Sequence, residues 1–163
     1  MDRLAAQVGA ALKARGMMLA TAESCTGGGV AQAVTDIAGS SAWFERGFVT
    51  YTNQAKVEML GVRQSTLDAY GAVSEMTVRE MAAGAIAHSH AHITLAVSGI
   101  AGPGGGTPDK PVGTVWFAWA LRHGDVAVCR YQLAGDRAAV RLQSVQIALQ
   151  GVLDNLKNLS NTA

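Results

Sequence analysis

Met17-Met18-Leu19-Ala20-Thr21-Ala22-Glu23-Ser24-Cys25-Thr26-Gly27-Gly28-Gly29 is the stretch on which the fold turns. Its apolar start runs through Thr21-Ala22-Glu23 and breaks at Ser24, and Val30-Ala31-Gln32-Ala33-Val34 then reads as a helix from about Thr26 to Asp36. A buried strand, a tight turn and a helix start are expected. The first N–H groups of a helix lack internal partners, so they favour negative charge in front of them. Ser24 is the hydroxyl at that spot, and Gly27, Gly28 and Gly29 open backbone conformations closed to other residues and let a ligand approach the main chain. On these residues alone two readings are open. Ser24 is either a hydroxyl serving a ligand or an ordinary N-cap, with the glycines serving strand–helix packing.

Outward from this stretch, strands and helices alternate. Leu4, Val8 and Leu12 recur at helical spacing before it, and Gly16 ends that helix. After it, Gly47-Phe48-Val49-Thr50-Tyr51 is a strand by its β-branched and aromatic content, and Asn53 is the expected N-cap of a helix through Leu60. A short helix is expected over Arg63–Tyr70. Ser74 then caps a longer one whose inner face is Val78, Met81, Ala82, Ala85 and Ile86. His92–Ser98 reads as a strand, and Val112–Leu121 and Val126–Leu133 as a hairpin turning at His123-Gly124-Asp125. Asp136 caps the last helix. The order implies an α/β chain, a three-layer α/β/α single domain over residues 1–163 with a mixed sheet.

Composition narrows the function. Apolar residues make up 49% and charged residues 15%, with a net charge of +1, which excludes disorder and electrostatically driven nucleic-acid binding and favours a small ligand. Two cysteines, Cys25 and Cys129, build no disulfide framework, and neither a secretion signal nor a membrane-spanning run is present, so a cytoplasmic location is expected.

In a sheet of this kind ligands sit beyond the strand ends. Three irregular stretches lie there: Glu23–Gly29, Tyr51–Lys56 and Ser98–Pro111. Neither glycine-rich loop is a nucleotide fingerprint. Gly102-Pro103-Gly104-Gly105-Gly106-Thr107 lacks the last glycine of GxGxxG, and Lys110 lacks the neighbours of a Walker loop. The second loop is either a ligand wall or a flexible connection. Lys56 stands in the first turn of its helix, where the macrodipole disfavours a cation. A positive helix end and burial both lower a lysine pKa toward that of a general base; the other reading is a solvated surface lysine.

Thr21-Ala22-Glu23-Ser24-Cys25-Thr26-Gly27-Gly28, Gly39-Ser40-Ser41-Ala42-Trp43-Phe44 continuing to Tyr51, Gly71-Ala72-Val73-Ser74, Val97 through Gly105, and Lys110-Pro111-Val112-Gly113-Thr114-Val115 together resemble the CinA C-terminal domain family over almost the whole chain. Stand-alone members of that family are nicotinamide-nucleotide amidases, hydrolysing nicotinamide mononucleotide to nicotinate mononucleotide and ammonia. The resemblance implies Ser24 as nucleophile and Lys56 as base, with no metal or cofactor, and backbone N–H groups near Cys25 to Gly28 as oxyanion hole. Thr26 or Tyr51 is then expected to orient Lys56, and Tyr51 is preferred because it lies five residues away at the strand end.

The phosphate and ribose of such a substrate call for further contacts. Arg137, opening the last helix, is the expected phosphate clamp, against an ordinary surface arginine. Thr26, Gly27, Gly28, Ser98, Gly99 and Gly102 are expected to shape the pocket, and Asn53 to reach the ribose or carboxamide. His88-Ser89-His90-Ala91-His92 is a metal site only if extended and is otherwise a solvated turn. Cys25 reads as a buried small side chain, and Glu23 either as catalytic or as an anchor for the loop backbone. Trp43, Phe44, Trp116 and Trp119 are expected in the core or a subunit contact. The partners implied are a small nucleotide substrate and a second subunit in a homodimer, without nucleic acid or membrane. The competing function is a catalytically silent nucleotide-binding module of the same fold.

Overall fold

Strand alternation sorts the side chains into two cores. Along β3 (Ile93–Gly99), Ile93, Leu95 and Val97 enter one core and Ala96 the other; along β4 (Thr114–Leu121), Val115, Phe117 and Trp119 enter the first and Ala118 and Ala120 the second. Successive strand residues point to opposite faces, so one face of the sheet is bulky and the other nearly flat. In the computed structural model, which describes residues 1–161, the bulky face carries α1 (Asp2–Ala14), α2 (Gly29–Thr35) and α6 (Arg137–Asn161). The flat face carries α3 (Asn53–Leu60), α4 (Gln64–Tyr70) and α5 (Glu75–Ala87). Packing between α3 and α5 is tight enough that a side chain at Gly84 would run into the Leu60 carbonyl.

The sheet has five strands in the order β2-β1-β3-β4-β5, where β1 is Leu19–Glu23, β2 is Phe44–Val49 and β5 is Val126–Gln132. β1 pairs in parallel with β2 and β3, while β4 and β5 run antiparallel, so the architecture is the expected mixed α/β/α sandwich. β1 is buried at every residue. Glu23 stands opposite Val49 on one side and Val97 on the other, so β1 and β2 end level at one end of the sheet and β3 runs two residues further.

Local differences from the sequence expectations have simple causes. β2 begins at Phe44 and ends at Val49, because Leu19 N–H takes the Trp43 carbonyl at 2.8 Å and draws the preceding residues into the ladder. α2 begins at Gly29 instead of Thr26, the intervening residues forming turns. Thr52, not Asn53, caps α3, its hydroxyl accepting from Ala55 N–H at 3.1 Å. The β4–β5 turn places the left-handed backbone at His123 (φ 61°) and not at the neighbouring glycine. Ser74 and Asp136 cap α5 and α6 as expected.

The aromatic residues divide between core and surface. Trp43 is buried in the core and lies against Gly9, where any side chain would strike the indole, and Trp119 donates its indole N–H to the Ala148 carbonyl at 3.0 Å. The histidines are used separately: His88 Nδ1 lies 2.8 Å from the Gly84 carbonyl and His92 Nδ1 accepts the Met18 N–H at 2.9 Å. Among the described residues no group of three metal-ligating side chains occurs, and no helix is long and apolar enough to cross a membrane.

Candidate active site

β1 delivers Ser24 to the sheet edge. Ser24 N–H donates to the Val97 carbonyl at 3.0 Å, extending the parallel ladder one residue past the strand. The chain then folds back twice, Gly27 N–H donating to Ser24 O at 3.0 Å and Gly29 N–H to Thr26 O at 2.9 Å. Gly27 (φ 59°) and Gly28 (φ 101°) hold the left-handed backbone that these reversals require, which side chains resist.

Beneath the turn, Glu23 is buried and fully engaged. Its Oε1 accepts from Thr26 Oγ1 at 2.6 Å and Val30 N–H at 2.8 Å, and Oε2 accepts from Ala31 N–H at 3.0 Å. A carboxylate at a helix N-terminus satisfies orphan donors and the macrodipole together. Glu23 is therefore the anchor of the loop, the second of the two roles open for it. Two consequences correct the sequence expectations. The first N–H groups of α2 face Glu23 and not a ligand, and the Thr26 hydroxyl serves Glu23 and orients neither Ser24 nor Lys56. The N–H groups of Cys25, Thr26 and Gly28 enter no backbone hydrogen bond among the described residues.

Lys56 approaches from α3 on the flat face. Thr50 N–H donates to the Glu23 carbonyl at 2.8 Å, so the β2–α3 connection leaves the sheet beside Ser24. The Lys56 side chain is 1% exposed, and its Nζ donates to Ser24 Oγ at 3.0 Å, the Thr50 carbonyl at 2.9 Å and the Tyr51 carbonyl at 3.4 Å. Burial lowers its pKa from 10.5 to about 8, the Cys25 thiol acting weakly the other way. At pH 7.5 roughly a quarter of Lys56 is then neutral, against roughly one in a thousand for an ordinary lysine. The buried neighbour Cys25 moves oppositely: burial pushes its thiol up to about 11, so thiolate is scarce near neutrality.

Tyr51 meets Lys56 through its main chain. Its ring is 57% exposed, and its hydroxyl accepts from Arg137 Nη2 at 2.9 Å, so the phenol does not orient the amine as expected. Arg137 also donates through Nη1 to the Gly102 carbonyl at 2.9 Å. The left-handed Gly102 (φ 84°) therefore ties its loop to α6 through its carbonyl, and Ser98 and Gly99 are the last two residues of β3. Gly99 leaves no room for a side chain against Val115. Asn53 stands exposed in the first turn of α3.

Sequence reading missed Arg141. It lies one helical turn beyond Arg137 on the same face of α6 and donates through Nε to Cys25 O at 3.1 Å and Nη2 to Thr26 O at 3.3 Å. The i, i+4 spacing from Arg137 was the available signal. Arg137 and Arg141 line a cleft of ≈ 550 Å³ together with Ala101, Pro103, Val112 and Asp136, while Ser24 and Lys56 are not among its lining residues. Among the described residues the ion pairs are Arg46–Glu45, Arg63–Glu80 and Arg79–Glu75, so neither cleft arginine spends its charge on a carboxylate. A hydroxyl and a buried amine of lowered basicity meet at one end of the sheet, and Arg141, hydrogen-bonded to the turn after Ser24, ties the cationic cleft to them, which suits acyl transfer on an anionic substrate.

Comparison with known proteins identifies the family and its relatives. Residues 1–156 match the CinA C-terminal domain family. The chain is 60% identical over 148 residues to the nicotinamide-nucleotide amidohydrolase PncC of Escherichia coli (strain K12), spanning 91% of this chain and 90% of that protein. To the protein of the same name from Enterobacter agglomerans it is 57% identical over 153 residues, spanning 94% and 93%. The solved structure of the competence/damage inducible protein CihA from Agrobacterium tumefaciens superposes with a TM-score of 0.92 at 48% identity, covering 96% of this chain and 94% of that one.

Proposed function

The chain belongs to the CinA C-terminal domain family, and from that premise we propose that it is an amidohydrolase cleaving the carboxamide of nicotinamide mononucleotide to nicotinate mononucleotide and ammonia, with Ser24 as nucleophile and Lys56 as base. The relatives named nicotinamide-nucleotide amidohydrolase support the reaction class. The observation that carries the dyad is the 3.0 Å approach of Lys56 Nζ to Ser24 Oγ, with two main-chain carbonyls around the same nitrogen. A neutral amine has two N–H bonds and one lone pair. Giving the N–H bonds to the Thr50 and Tyr51 carbonyls leaves the lone pair for the Ser24 hydroxyl.

In this reaction Lys56 takes the Ser24 proton as Oγ attacks the carboxamide carbon. The oxyanion is received by N–H groups of the Cys25–Gly28 turn. As the tetrahedral intermediate collapses, Lys56 returns the proton to the departing nitrogen and ammonia leaves an ester on Ser24. Water then gives a proton to Lys56 and attacks the ester, and Ser24 recovers its proton as the carboxylate product forms. The phosphate is taken by Arg137, whose present partners, the Tyr51 hydroxyl and the Gly102 carbonyl, are neutral acceptors that a dianion outcompetes. A cleft of ≈ 550 Å³ is in the range for a ligand of mononucleotide size.

The test is ammonia release from nicotinamide mononucleotide by the purified chain. Ser24→Ala and Lys56→Met are each expected to lower kcat by on the order of a thousandfold or more, the scale on which nucleophile and base losses register in other hydrolases. A wild-type chain that binds the nucleotide and releases no ammonia refutes the amidase reading in favour of a silent binding module.

A further inference from the structure

Thr26 is buried, and two of its three polar groups are committed. Its hydroxyl is given to Glu23 at 2.6 Å and its carbonyl receives Arg141 Nη2 at 3.3 Å; its N–H enters no hydrogen bond among the described residues. Buried main-chain donors are almost always paired, so an unpaired one at a reaction centre is a donor awaiting a ligand. Its direction is set by the peptide plane. The C=O of Cys25 and the N–H of Thr26 belong to one planar trans unit and point opposite ways. Arg141 Nε holds that carbonyl at 3.1 Å on the α6 side, which turns the Thr26 N–H away from α6. The next plane is closed differently, since Gly27 N–H is spent on the Ser24 carbonyl.

The grip is specific to a guanidinium. Arg141 catches two consecutive carbonyls with two nitrogens, a span that a lysine's single ammonium does not reproduce. It closes where Gly27 has no side chain: a Cβ there would stand 3.3 Å from Nη2. A cation bonded to the Cys25 carbonyl also polarises its peptide and strengthens the N–H at the other end as a donor. Resting on the amidase reading, and using a residue that reading leaves without a role, we propose that Arg141 is the positioning residue of the oxyanion hole, aiming the Thr26 N–H at the oxygen of the tetrahedral intermediate and not binding the substrate phosphate.

Arg141→Lys and Arg141→Met separate this role from phosphate binding and from a general loss of structure. Steady-state hydrolysis of nicotinamide mononucleotide is measured first. Both variants are expected to lower kcat and kcat/KM together by about 100-fold, the loss typical of one oxyanion donor, with KM within about threefold of wild type. Two affinities complete the test. Binding of the intact nucleotide, measured in a Ser24→Ala background, is expected to be unchanged by either substitution. Binding of the analogue with a boronic acid in place of the carboxamide, which becomes tetrahedral on Ser24, is expected to weaken by the same factor as kcat/KM. A raised KM with kcat retained would make Arg141 a phosphate ligand and overturn the proposal. So would a fall in kcat with boronate affinity intact, or a Lys variant that works as well as arginine. A wild-type chain without amidase activity overturns the reading beneath it as well, and is recognised before any Arg141 variant is made.

Discussion

Replacing Lys56 by methionine tests the buried amine through stability and not through catalysis. Lys56 folds with a pKa of about 8 against 10.5 in an ordinary lysine. Between those values the unfolded chain carries a proton on this group that the folded chain lacks, so stability rises with pH across the window. Well below pH 8 both states are protonated and the amine contributes no slope. From pH 7.5 to pH 10 the linkage integrates to about 2 kcal/mol gained by wild type from this one group. Lys56→Met keeps the four-atom apolar stem of the side chain and removes the titrating nitrogen. Its own change in stability over the same interval is therefore expected to fall about 2 kcal/mol short of the wild-type change. Taking the difference cancels other groups that titrate in both proteins. The assay is urea unfolding of both chains at the two pH values, with equal m-values checking that the folded states are comparable. The same group sets the rate profile. Because protonated Lys56 accepts no proton, kcat/KM of wild type is expected to fall about tenfold per pH unit below about 8. Parallel stability curves for the two proteins would refute the claim that folding depresses this lysine, whatever the variant does to activity.

Other substitutions probe the remaining supports. Glu23→Gln replaces an acceptor of three donors by an amide whose NH₂ must face one of them, and is expected to cost about 2–3 kcal/mol in urea unfolding; stability within 0.5 kcal/mol of wild type would show that Glu23 does not secure the turn. Tyr51→Phe removes the acceptor of Arg137 and keeps the carbonyl on Lys56, so the acid limb of the rate profile should stay where it is; a shifted limb would return the phenol to the dyad. Arg137→Met should raise KM for the mononucleotide about 100-fold while leaving hydrolysis of the riboside unchanged, a difference that competition between the two substrates reads directly.

How far the sequence disclosed this depended on whether a feature was local. β1, the turn after it and α2 could be read from Met17–Gly29, because an apolar run, a hydroxyl and glycines are short-range signals. Lys56 was conspicuous since it breaks a rule of helix charge, a local rule again. What escaped was set by distance in the chain. Glu23 lies next to Ser24 in sequence, yet only the return of α2 above it shows that the carboxylate is consumed in capping. Tyr51 was assigned its phenol because side chains are what a sequence displays; the group that reaches Lys56 is its carbonyl, and the phenol goes to Arg137, 86 residues on. Arg141 reaches carbonyls more than 110 residues away; its i, i+4 spacing from Arg137 marks a shared helix face, but only the packing of α6 against the turn shows what it grips.

In the proposed dyad the same facts let a serine and a lysine suffice where other hydrolases align a third side chain behind the base. An aspartate behind Lys56 would favour its charged form and raise its pKa, undoing the effect of burial. Main-chain carbonyls avoid this because they orient the nitrogen through partial charge alone. Thr50 and Tyr51 offer two of them from consecutive residues of a connection already tied to β1 by the Thr50 N–H. The buried carboxylate nearby, Glu23, is kept from acting as that aspartate by three donors from the turn and from α2. Negative charge therefore serves the architecture under the turn, positive charge serves the cleft through Arg137 and the turn itself through Arg141, and the proposed base between them is left with neutral partners that permit it to lose its proton near neutral pH.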